Sequence, residues 1–114
     1  MVDLRDYKIV IRDAVAAERE RDKNWGWRVV RVNKNSIVIR WGYLDYIEEK
    51  DSFVIRLMED DGDVSLAGFM PGDPTLRDSL YVWIGDKHWH DCKTVDEGIR
   101  CAVRGIANRA HNTF

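Results

Sequence analysis

The sequence predicts an α+β domain, a twisted antiparallel sheet of four to five strands flanked on one face by an N-terminal and a C-terminal helix. Three observations lead there. Residues 3–22 and the segment after Thr94 carry apolar side chains at helical spacing. Between them apolar and polar residues alternate with period two, which puts every second side chain on the same face of a strand. Clusters of Asn, Asp, Gly and Pro punctuate that middle region as antiparallel hairpins require. A chain of 114 residues has room for one core, so residues 1–114 are expected to fold as a single globular domain.

The first helix rests on the stripe Leu4, Tyr7, Ile11, Ala14, Val15 and Glu18. The β-branched stretch Lys8-Ile9-Val10-Ile11-Arg12 alone would suit a strand, but Ala14-Val15-Ala16-Ala17-Glu18 has strong helix propensity and decides for a helix. Residues 25–32 read as the first strand and Ser36 to Tyr43 or Leu44 as the second, joined through Asn33-Lys34-Asn35, since Asn tolerates left-handed backbone. Glu48-Glu49-Lys50-Asp51 is a polar turn before a third strand over 53–58. Glu59-Asp60-Asp61-Gly62-Asp63 is a tight turn into a fourth strand over 64–69. Residues 70–74 hold both prolines and form a loop, and 80–84 is the fifth strand. Thr94-Val95-Asp96-Glu97 is a capping box opening a helix with the apolar stripe Val95, Ile99, Ala102, Val103, Ile106 and Ala110.

Composition narrows the function classes. Eighteen Lys and Arg against twenty Asp and Glu give a net charge of −2, which excludes a histone-like or polybasic-tail mode of binding. With 45% hydrophobic residues the chain is too apolar for a disordered one. Two cysteines, Cys92 and Cys101, are too few for a disulfide framework. Met1-Val2-Asp3-Leu4-Arg5-Asp6 offers no apolar leader, and no run approaches the roughly 18 apolar residues of a membrane span. A cytoplasmic protein without a membrane partner is expected.

Parity sorts the strands into two faces. Ile37, Ile39, Trp41 and Tyr43 share one face with Phe53, Ile55 and Leu57, a natural floor for both helices. The opposite face carries Val38, Arg40 and Gly42 with Val54, Arg56 and Met58. In the first strand, strict alternation sets Arg28, Val30 and Val32 against Trp27, Val29 and Arg31. The arginine-bearing face is expected to be partly exposed.

Arg28, Arg40 and Arg56 can align across neighbouring strands. With Trp25 and Trp27 at an element end, they make a candidate partner-binding set, because guanidinium forks suit carboxylates and phosphates and amphipathic rings anchor partners. Pairing of these arginines with Glu48, Glu49, Glu59 or Asp61 is the ordinary alternative. Arg100 and Arg104, with Asn108 and His111, form a second basic stripe, although the helix dipole alone favours cations late in a helix. Trp41 and Trp83 are expected in the core, and Trp89 at an element end. His88, His90 and Cys92 would share one face of an extended segment and are weak zinc candidates, needing Cys101 or Asp86 as fourth ligand. No paired-ligand spacing supports such a site, so neither metal nor cofactor is expected. Cys92 as a nucleophile with a histidine base lacks a recognisable oxyanion hole or orienting acid, so the chain is not expected to be an enzyme. The acidic turn lacks the twelfth-position glutamate of a calcium loop, and the glycines are scattered singly.

The expected function is that of a small non-enzymatic interaction protein, an inhibitor that binds and blocks another macromolecule. Its expected partner is a protein, for instance one in a nucleic-acid-handling complex. In general character the chain resembles phage- and mobile-element-encoded inhibitors of bacterial defence nucleases, anti-CRISPR proteins among them, and toxin-neutralising immunity proteins; no particular stretch of residues carries that likeness. The alternative is a nucleic-acid-binding module using the arginine-lined sheet face and the C-terminal helix. The element order is similar to that of double-stranded-RNA-binding domains, although no basic loop with the lysines such a domain needs precedes the last helix. Homodimerisation through an uncovered apolar patch is a further mode of association.

Overall fold

The sheet grows from hairpins whose turns supply the backbone they need. A computed structural model describes residues 2–21, 23, 25–43, 52–69 and 80–113, without the side chains at 25, 41–43, 60 and 110–113. The expected turn at 48–51, the proline loop at 70–74 and the side chains of Trp25, Trp41, Tyr43, Ala110 and His111 therefore lie outside the described residues.

A short 3-10 turn, Leu4–Tyr7, runs into α1 (Lys8–Arg21). Strands β1 (Trp25–Val32), β2 (Ser36–Tyr43), β3 (Ser52–Asp60), β4 (Asp63–Phe69) and β5 (Leu80–Ile84) follow, and α2 (Val95–Thr113) comes last. The strands pair antiparallel in chain order, β1-β2-β3-β4-β5, and the fold is α+β as the sequence predicts. Between β3 and β4, Asp61 and Gly62 take φ of 50° and 82°, the two left-handed positions that match a tight turn to strand twist. Between β1 and β2 the Asn33 amide N–H donates to the Ser36 carbonyl at 2.8 Å.

Both helices lie on the floor that parity identifies. Leu4, Ile11, Ala14 and Val15 from the N-terminal segment meet Trp27, Ile37, Ile39, Phe53 and Ile55, while Ile99, Ala102, Val103 and Ile106 of α2 cover Leu66, Val82 and Ile84. Helix α1 lies against β1, and α2 against β4 and β5. The stretch 8–12 is helical, and its Ile9 is left exposed. Helix α2 approaches the sheet closely because two turns on its inner side lack a side chain. A Cβ at Gly98 would lie 2.5 Å from Ile84 Cδ1, and one at Gly105 2.5 Å from Leu80 Cδ2.

The ends of the helices follow the sequence signals. The Glu97 N–H donates to Thr94 Oγ1 at 3.2 Å, and Glu97 Oε2 reaches back to accept from the Lys93 N–H. Asp3 accepts from the Arg5 side chain and backbone amide, which hold its carboxyl down at about 2. The two helices are tied by a buried charge. Glu18 is 3% exposed; its Oε1 accepts from Arg104 Nε at 2.6 Å, and Oε2 lies 2.9 Å from the Arg21 guanidinium in an ion pair. Arg21 also donates to Asn108 Oδ1 at 2.9 Å.

Candidate functional site

With both helices on one face, no described helix covers the opposite face of the sheet, on which Ser65 and Ala67 are nevertheless buried. Register arranges it in rows. Arg28 stands opposite Arg40, and Arg40 opposite Ser52. The next row runs Arg31, Val38, Val54, Phe69, and the one after it Ser36, Arg56, Ala67, Tyr81. The next holds Met58, Ser65 and Trp83, and beyond it Asp60 stands opposite Asp63. Rows on one face are about 6.7 Å apart, so Arg56 lies some 13 Å along the strands from the Arg28–Arg40 pair.

A bulge in β1 corrects the strict alternation expected there. Register shifts between Val29 and Arg31, so two residues of β1 face one of β2. The side chains beyond the bulge swap sides: Arg31 joins the open face opposite Val38, while Val32 turns inward opposite Ile37 and packs against the core. The face thus gains an arginine that alternation assigns to the other side.

Charge on this face is separated along the strands. The first three rows hold four arginines and, among the described residues, no carboxylate, whereas the row beyond Met58 places Asp60 opposite Asp63. No described carboxylate forms an ion pair with Arg28, Arg31, Arg40 or Arg56. Arg40 Nε is buried and has no hydrogen-bond partner among the described residues. Two like charges directly opposite each other on neighbouring strands repel.

Aromatic and aliphatic surface lies beside the charge. The Arg56 guanidinium sits 5.2 Å from the centre of the Phe69 ring. Ser36, Arg56, Met58, Phe69 and Tyr81 border an open depression of about 580 Å³. Met58 and Tyr81 are 46% and 47% exposed. Trp83 extends the patch, with Trp89 edge-on to it at 5.4 Å and Lys87 5.6 Å above the Trp89 ring.

The other expected site residues fall elsewhere. Trp27, expected among the contacts, is 1% exposed and packs 6.1 Å from Phe53, because the pleat turns it toward the helices. Trp83, expected in the core, is half-buried on the open face. Arg100 and Arg104 belong to the groove between the helices, on the far side of the molecule from the sheet arginines, and Arg104 is engaged by Glu18. Residues 88–92 are not extended, so His88, His90 and Cys92 do not share a face. The His90 N–H donates to the Lys87 carbonyl, and the Lys87 N–H donates to His90 Nδ1 at 3.1 Å, curling the chain. The His90 ring packs against Gly85, whose φ of 155° and lack of a Cβ make room for it. His88 is exposed, and Cys92 is buried beside Cys101 with its sulfur 3.3 Å from the other. Burial, reinforced by Cys101, pushes the Cys92 thiol up to about 12. Among the described residues no three His, Cys, Asp or Glu side chains converge on a metal position, and no helix is long and apolar enough to cross a membrane.

Phe69, Tyr81, Trp83 and Arg31 are the members of this face that sequence reasoning passes over, whereas Met58 is placed there by parity. The signal for three of them was present: Phe69, Tyr81 and Trp83 hold the parity opposite to Leu66, Val82 and Ile84. Compared with known protein families, curated proteins and solved structures, the chain matches none.

Proposed function

We propose that this protein is a non-enzymatic binding module that docks its open sheet face onto an acidic surface of a partner protein and thereby blocks that surface. The observation that carries the reading is the set Arg28, Arg31, Arg40 and Arg56, none of them in an ion pair with a described carboxylate, interleaved with Val38, Val54, Met58 and Tyr81. Arg, Tyr, Trp and Met are the residues enriched where protein interfaces carry their energy. A cluster of arginines steers an oppositely charged partner and fixes its register, and contact relieves the Arg28–Arg40 repulsion. Blocking of this kind is the action of an inhibitor, of the anti-defence or immunity type whose general character the chain shares.

A nucleic acid is the second reading, favoured by the Arg56–Phe69 pair and by the exposed rings of Tyr81 and Trp89, which suit stacked bases. The aliphatic side chains between the arginines weigh toward a protein. One titration separates the two. Amide shifts of the protein are followed by NMR on adding polyglutamate, and separately single- and double-stranded DNA and RNA, at two salt concentrations. The proposal expects polyglutamate to move the β1–β3 amides of the open face, with Arg28→Ala/Arg40→Ala abolishing the shifts while leaving the fold intact. Tighter oligonucleotide binding that collapses with salt replaces it with the nucleic-acid reading. Silence of the face toward both polyanions refutes both readings.

A further inference from the structure

The two cysteines have no part in the sheet face, yet the fold brings them together. Cys92 is fixed by its backbone: its N–H donates to the Trp83 carbonyl at 3.1 Å, its carbonyl accepts from the Gly85 N–H at 3.0 Å, and it forms a parallel bridge with Ile84. Cys101 stands on the second turn of α2 and is exposed, while Cys92 is buried. Their sulfurs are 3.3 Å apart, and a disulfide needs about 2.0 Å, so closure takes a shift of about 1.3 Å. The exposed Cys101 side chain can supply it by a small change of torsion. Cys101 also opens on a depression of about 280 Å³ between the helices, lined by Ala14, Ala17, Arg100 and Arg104. Asp13 and Glu18 line it as well and Glu18 engages Arg104, so what the depression supplies is access to the Cys101 thiol.

We propose that Cys92 and Cys101 form an oxidative modification site, closing to an intramolecular disulfide by exchange with a low-molecular-weight disulfide of the glutathione type. Deprotonated Cys101 attacks one sulfur of oxidised glutathione, forming a mixed disulfide and expelling one glutathione thiolate, which takes up a proton. Cys92 then loses its proton to solvent and attacks Cys101 Sγ. The Cys92–Cys101 bond forms, the mixed disulfide breaks, and the second glutathione leaves as its thiol. Two protein thiols are oxidised and one glutathione disulfide is reduced to two thiols. Burial assigns the roles: the exposed sulfur is attacked from solution, and the buried one resolves it.

The test incubates the native protein with oxidised glutathione near pH 8, at about the ordinary cysteine pKa, and follows intact mass and alkylation of thiols. The expected end product has lost two hydrogen atoms, offers no alkylatable thiol after unfolding, and reverts with dithiothreitol. It melts roughly 5–10 °C above the reduced protein, because the bond closes a short loop without moving the backbone. Cys92→Ala should instead accumulate a stable glutathione adduct at Cys101, which shows that Cys101 is the entering thiol. Wild-type protein that stops at the same adduct, or that keeps both thiols alkylatable, overturns the proposal, as does an oxidised product that melts below the reduced one.

Discussion

Substituting Glu18 separates the energetic roles of the two sides of a buried ion cluster. Its carboxylate is 3% exposed, whereas the side chains of Arg104 and Arg21 are 52% and 35% exposed. In Glu18→Ala both cations stay in reach of water. The loss is a charge-assisted hydrogen bond at 2.6 Å from Arg104 and the ion pair with Arg21; removing a buried anion offsets part of it. A net cost of about 1–2 kcal/mol follows. The double substitution Arg21→Ala/Arg104→Ala does the opposite, leaving the carboxylate under the helices with neither cation. Breaking a buried pair in that direction costs about 3–5 kcal/mol. In a chain of this size each kcal/mol moves Tm by roughly 4 °C, so the single variant should melt about 4–8 °C low and the double variant about 12–20 °C low. Thermal unfolding followed by far-UV circular dichroism at neutral pH measures both. If Glu18→Ala falls as far as the double variant, the residue holds the helices together through its packed stem, and the reasoning from buried charge is wrong.

Three further outcomes are expected. Gly98→Ala should destabilise by about 1–2 kcal/mol despite its better helix propensity, because the new methyl meets Ile84 Cδ1 and Cγ1 at 2.5 and 2.8 Å. Adding Ile84→Val should recover part of that loss in a double-mutant cycle of urea titrations, and additive losses would dismiss the collision. Thr94→Ala should cost about 1 kcal/mol by removing the acceptor of the Glu97 amide, with the urea m-value unchanged. Raising the Cys92 pKa from 9.0 to about 12 favours the neutral thiol in the folded state, so its contribution is complete below pH 9 and is lost as pH climbs toward 12. Reduced protein should therefore lose stability over that range more steeply than Cys92→Ala, and parallel curves would refute the assignment.

Both helices, all five strands and the helix cap were legible because each rests on short-range rules. The stripe Leu4, Ile11, Ala14, Val15 and Glu18 is the buried side of the N-terminal segment, and the alternation in β2 and β3 separates floor from open face residue by residue. What escaped depends on geometry between elements. One inserted residue in β1 reverses every side chain after it, and nothing in Val29-Val30-Arg31-Val32 marks which valine is extra. In β4 the residues Ser65, Ala67 and Gly68 are too small to give the two faces contrasting character, so the place of Phe69 is marked only by its parity against Leu66, and that of Tyr81 and Trp83 by theirs against Val82 and Ile84. Tryptophan compounds this, since its ring suits a core at Trp27 and a surface at Trp89 equally well. The turn at 87–90 curls through the His90 ring, a contact that the alternation His88, His90, Cys92 conceals.

The unbroken meander has a consequence for how the chain reaches this state. Every described strand pairs with its neighbour in sequence, so the sheet can assemble hairpin by hairpin through contacts close along the chain. The contacts that join the first helix to the last span far more chain: Glu18 to Arg104 is a separation of 86 residues and Arg21 to Asn108 one of 87. Closing that distance carries its entropy cost in a single late step, after the strands have already brought the two helices to the same side. Interactions made only then are absent from the folding transition state. The clasp between the helices therefore governs how fast the native protein comes apart, while the hairpins govern how fast it forms.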